Sequence, residues 1–91
     1  MEKLTTFSAS LQLPSGKTCT VEYTVIASRG PGGIASYGLY VAIADTGERC
    51  RIEDLSVSRQ AVTDFARRLR DGAVTPAAVM DVVQDSLGIT L

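Results

Sequence analysis

Few side chains in this sequence are of a type and spacing that could do chemistry. Arg29 is followed by Gly30-Pro31-Gly32-Gly33, a cation beside glycines, which is the composition of a phosphate cradle. Such a cradle runs from a strand through glycines into a helix whose first amides meet the anion, written GxxxxGK[ST] or GxGxxG. Neither pattern occurs, and the residues after the run alternate like a strand. The run is therefore expected to be a hairpin connection whose glycines supply positive φ angles. Arg29 and Ile34 remain in it as candidate contacts for a partner, since loops carry function more often than cores do.

Cys19 and Cys50 are the only cysteines and the chain has no histidine. That excludes Cys-His and Ser-His nucleophiles, zinc fingers and CxxC redox motifs. Each cysteine shares parity with the apolar residues of its segment and is expected as a small buried hydrophobe. In a meander their strands lie about 9.5 Å apart, beyond the roughly 7 Å that a disulfide spans. Asp81 and Asp85 stand one helical turn apart, but nothing local adds the further oxygens that Mg²⁺ or Ca²⁺ requires. They are expected as a solvated pair, with no metal, no cofactor and no catalytic residue assigned.

Arg59, Arg67, Arg68 and Arg70 crowd one segment and invite comparison with a helix-turn-helix. Asp64 with Arg68 and Arg67 with Asp71 are spaced to pair across one turn. The following helix, the one that would read bases, carries Asp81 and Asp85 and no basic residue. These arginines are the candidate contacts of an alternative, nucleic-acid-binding reading.

The elements that must position these groups follow from periodicity. Phe7, Ala9, Leu11 and Leu13 alternate with polar residues, as do Cys19, Val21, Tyr23, Val25 and Ala27 after the turn at Pro14-Ser15-Gly16-Lys17. Tyr37, Leu39, Val41 and Ile43 repeat the pattern, and Asp45-Thr46-Gly47-Glu48 turns the chain into a fourth strand through Arg49–Glu53. Gly38, in mid-strand, predicts a bulge or a close backbone approach. The period then changes. Val62, Phe65, Ala66 and Leu69 share a helical stripe between an N-cap at Ser58 and a stop at Gly72. Val79, Val82, Val83 and Leu87 share another, opened by Thr75-Pro76 and closed by Gly88. The expected fold is α+β: a four-stranded antiparallel β-meander, about residues 4–54, with two C-terminal helices, about 59–71 and 76–87, packed on one face.

With 91 residues the chain has room for one domain, residues 1–91. A hydrophobic fraction of 45% and a charged fraction of 21% argue for a packed core rather than disorder. The formal net charge of −1 sets up no global field towards nucleic acid or an anionic membrane. No apolar stretch has the length of a membrane span and the N-terminus lacks a secretory core, so a cytoplasmic location is expected. Apolar residues out of register remain: Ile26 and Tyr40 point to an otherwise hydroxyl-rich sheet face, Ile34 sits in the glycine run, and Ile89 and Leu91 end the chain. Contiguous, they would form an interface.

The segments SYGLYVAI, DTGERCRIEDLS and VTPAAVMDVVQDSL, in that order, resemble a family of short bacterial proteins, the domain of unknown function numbered six-five-one-four. The residues carrying the likeness are Tyr37-Gly38, Asp54-Leu55-Ser56, Val74-Thr75-Pro76, Asp81-Val82-Val83 and Asp85, within a span from about the second strand to Leu87. The resemblance implies a bacterial, cytosolic setting and supplies no catalytic residue. The function expected from the residues is a non-enzymatic protein-interaction domain, a homodimer or a binder of another protein, with Ile26, Arg29, Ile34, Tyr40, Ile89 and Leu91 as candidate interface.

Overall fold

The structure, a computed structural model, describes residues 2–87. Four antiparallel strands lie side by side in chain order: β1 (Glu2–Gln12), β2 (Thr18–Arg29), β3 (Ala35–Ile43) and β4 (Arg49–Ser56). Helices α1 (Arg59–Asp71) and α2 (Pro76–Leu87) follow. The α+β meander is thus as the sequence predicts, with the sheet slightly longer at both ends. One set of parities makes the core. Cys19, Val21, Tyr23, Val25, Leu39, Val41 and Ile43 are buried together with Val62, Phe65, Ala66 and Leu69 of α1 and Val79 and Val83 of α2. Both helices therefore cover the same sheet face. Each large side chain in that cluster contributes about 1.5–3 kcal/mol by leaving water.

Capping sets where the helices stop and start. Ser58 accepts a hydrogen bond from the Ala61 N–H at 3.2 Å, opening α1 as expected. Its far end is capped at Gly72, as expected. Gly72 keeps a negative φ of −92°, and Ala73 takes the left-handed conformation, at φ 46°. The Ala73 N–H donates to the Arg70 carbonyl and the Val74 N–H to the Leu69 carbonyl, both at 3.0 Å. This is the Schellman pattern with alanine where glycine usually sits. It turns Val74 onto the core, where the Val74 carbonyl accepts the Tyr23 hydroxyl at 2.7 Å. Tyr23 is 0% exposed, and burial pushes its pKa from 10.0 up to about 12.

The sheet is least regular around Gly38. Pairing of β3 with β4 shifts register between Tyr37 and Leu39, and in β4 Asp54 adopts φ 61°. A Cβ on Gly38 would run into the Ile52 carbonyl oxygen and the Glu53 Cα. The β4 backbone thus crosses the space a side chain would fill, on the face away from the helices. Ile26 is the cross-strand partner of Gly38 and is only 1% exposed, although it lies outside the helix-side cluster. The expectation that Ile26 offers open apolar surface is overturned. A second register shift, in β1 between Lys3 and Thr5, falls at the same level, and bulges sharpen the local twist, so the outer face closes around Ile26.

The glycine run joins β2 to β3 as a closed turn. The Gly30 N–H donates to the Ile34 carbonyl at 2.9 Å and the Gly33 N–H to the Gly30 carbonyl at 3.1 Å. Gly32 and Gly33 have φ of 80° and 75°, which supplies the physical reason for glycine there.

Two outcomes follow. Gly38→Ala should cost about 2–4 kcal/mol, because backbone rather than a flexible side chain has to yield; Ala73→Gly should add about 0.5–1 kcal/mol by relieving a left-handed alanine. Urea titration of both variants measures this. Tyr23 holds its proton more tightly folded than unfolded, so its contribution is complete below pH 10.0 and is lost as pH rises towards 12. The loss amounts to about 2–3 kcal/mol across that window. Tyr23→Phe should be about 1–2 kcal/mol less stable at neutral pH and should lack that alkaline decline, as thermal melts at several pH values would register.

Candidate functional site

A meander leaves two strand edges unpaired, and here the two are built differently. β4 carries Arg49, Arg51, Glu53 and Asp54 in eight residues, pairs Arg51 with Glu53 at 2.7 Å, and is broken by the left-handed Asp54. Charges and a bulge are how proteins blunt an edge. β1 has a single register shift near its start, and from Leu4 to Gly16 the sequence holds no charged residue.

The turn after β1 tells which backbone groups of that edge are free. The Leu13 N–H donates to the Lys17 carbonyl at 2.7 Å, so Leu13 faces β2, and by antiparallel alternation so do Leu11, Ala9 and Phe7. The N–H and C=O groups of Thr6, Ser8, Ser10 and Gln12 then point away from the sheet. Their side chains are exposed, whereas Phe7, Ala9 and Leu11, on the helix side, are only half-buried. The free edge combines unpaired backbone with incompletely covered apolar surface.

Helix α1 overhangs this edge with its arginines. Arg67 and Arg70 lie over the Phe7 ring, at 5.6 Å and 5.3 Å from its centroid, a cation–π geometry. Arg59 and Arg67 line a groove of about 520 Å³ with Thr5, Phe7, Gln60 and Thr63. Arg59 is shared with a second groove of about 570 Å³ where the sheet outruns the helix, lined also by Arg29, Glu2, Leu4 and Tyr37. Arg68 sits on the other flank, over Phe65 at 5.7 Å. The four arginines therefore do not form one basic face. The expected pairs Asp64–Arg68 and Arg67–Asp71 are also replaced: Asp64 meets Arg67 at 3.7 Å and Asp71 meets Arg70 at 3.1 Å. The Phe7 ring draws Arg67 and Arg70 to the β1 side, a tertiary contact that spacing along a helix does not contain.

The other sequence candidates scatter. Arg29 is exposed at the end of β2, Ile34 is 64% exposed at the hairpin tip, and Tyr40 is half-buried in the middle of the outer face, between Thr24 and Arg51. Ile89 and Leu91 lie outside the described residues. Cys19 and Cys50 are both free thiols, the first buried and the second half-buried. Asp81 and Asp85 are exposed on α2. Among the described residues no three carboxylates or thiols gather as metal ligands. The bare edge is the feature that sequence reasoning missed, and the uncharged run from Leu4 to Gly16 was the available signal.

The motifs quoted above sit where the fold is most constrained: Gly38 under β4, Asp54 at its left-handed turn, and Val74-Thr75-Pro76 at the helix junction. A family model matches residues 2–88. The chain belongs to the family of unknown function DUF6514. The match begins ahead of the second strand, so β1 and its edge are part of the family's domain. No curated protein and no solved structure matches the chain.

Proline at the two kinds of β1 position separates them. Ser8→Pro removes an N–H that no strand uses and should cost about 1 kcal/mol or less, whereas Ala9→Pro deletes a ladder bond and should cost about 3 kcal/mol or more. Melting temperatures of the two variants, with the second lower by more than about 10 °C, would check the assignment.

Proposed function

We propose that this DUF6514 chain is a non-enzymatic protein-interaction domain that docks an extended segment of a partner along the free edge of β1. The observation carrying this reading is the bare edge itself: four residues with unpaired backbone groups, no charge and no bulge from Thr5 to Gln12, opposite an edge that is blunted in both ways. Main-chain hydrogen bonds from such an edge supply affinity, and the neighbouring groove supplies specificity.

The non-enzymatic part of the reading draws support from the chain's lack of histidine. It draws more from Tyr23, whose shifted hydroxyl is consumed by a structural bond to Val74. Two free cysteines suit a reducing cytoplasm. Among the described residues no helix is long and apolar enough to cross a membrane. The bacterial setting rests on the family resemblance. Against the nucleic-acid alternative stands the division of the arginines, with Arg59, Arg67 and Arg70 on one flank of α1 and Arg68 on the other.

Affinity capture from the native cell, with and without nuclease and with Ser8→Pro beside the natural chain, tests the proposal. A defined protein should be retained through nuclease treatment and lost with Ser8→Pro. Retention by both forms, or loss on nuclease treatment alone, counts against docking at this edge. Light scattering over a concentration series, read for both forms, reports whether the partner is a second copy.

A further inference from the structure

Resting on the reading of β1 as the docking edge, we infer that the segment it receives is acidic: an extended strand of another protein with carboxylates at alternate positions on the side facing α1. In a strand added to β1, every second side chain faces the helices. Those side chains would enter the groove over Thr5 and Phe7, whose charged lining is Arg59 and Arg67 and includes no acid. Arg70 lies over the same ring. Asp64 and Asp71 answer Arg67 and Arg70 only in part, in pairs that are exposed on both sides and so are weak. Among the described residues Arg59 makes no ion pair. The opposite side chains of the incoming strand would meet the exposed Thr6, Ser8 and Ser10 and need only be small and polar.

The same charges argue against a second copy as the occupant. Pairing β1 with its two-fold mate about Ser8 would bring Arg67 and Arg70 of both molecules to one seam. The incoming β1 offers no carboxylate after Glu2 to meet them, and like charges directly opposed are destabilising. An acidic strand relieves that repulsion and covers Phe7, Ala9 and Leu11.

The test uses the full chain and fluorescent nine-residue peptides in which threonine alternates with glutamate, lysine or serine, read by anisotropy at low salt. The glutamate peptide should bind about tenfold or more tighter than the other two, each exposed pair adding a few-fold. Arg59→Glu, which leaves the contacts to Phe7 intact, should remove most of that preference; Arg67→Glu with Arg70→Glu should remove the remainder, and Arg68→Glu should leave it unchanged. Ser8→Pro, with Ser10→Pro as a second blocked edge, should abolish binding of the glutamate peptide. If the three peptides bind equally and the prolines block them all, the acidic preference is overturned while edge docking stands. If no peptide binds, or the prolines block none, both are overturned. A single-stranded RNA oligonucleotide that binds more tightly than the glutamate peptide, and through the same arginines, overturns the assignment to protein.

Discussion

The hydrogen bond from the Tyr23 hydroxyl to the Val74 carbonyl is the contact on which the arrangement of this domain turns. Tyr23 stands at the centre of the sheet with Val21 and Val25 on either side, all three without exposed surface. Its ring fills the core while its hydroxyl reaches the residue that ends one helix and precedes the next. A buried hydroxyl without a partner would cost more than the bond returns, so the turn between the helices has to place a carbonyl there. The left-handed Ala73 turns the chain so that the Val74 carbonyl is placed there, and Thr75-Pro76 then opens α2.

With α1 held over β2, the rest of the sheet is covered unequally. A helix of thirteen residues extends about 20 Å, while the twelve residues of β2 extend about 40 Å. The helix therefore cannot shield the full length, and it lies over β2 more squarely than over β1. The shortfall leaves the half-buried flank of β1 and the two grooves that Arg59 joins. The outer face needs no helix around Ile26, because β4 bends across Gly38 and closes it.

The resulting asymmetry between edges is physical rather than decorative. An unpaired strand edge is a template for association, and β4 carries the usual protections. β1 lacks them over most of its length, and Arg67 and Arg70 gather over Phe7 beside it.

Much of this architecture was legible in the residues. Strict alternation in three segments, turn chemistry between them, and two capped helical stripes determined the strands, the helices and the parity of the core, because each signal is local and periodic. The glycine run was likewise readable as a turn, since a strand rather than a helix follows it. The sequence could not decide the fate of Ile26, whose parity places it on the open face; its burial comes from the β4 backbone crossing Gly38. The end of α1 at Gly72 was legible, but the left-handed Ala73 after it was not, because that turn carries Val74 to Tyr23 on a distant strand. Helical spacing paired Arg67 and Arg68 with the wrong carboxylates, because Phe7 on a distant strand holds Arg67 and Arg70 while Arg68 lies over Phe65. The sequence by itself determined which residues form each element; only tertiary structure decided which edge is bare, because an edge is defined by the neighbour a strand lacks.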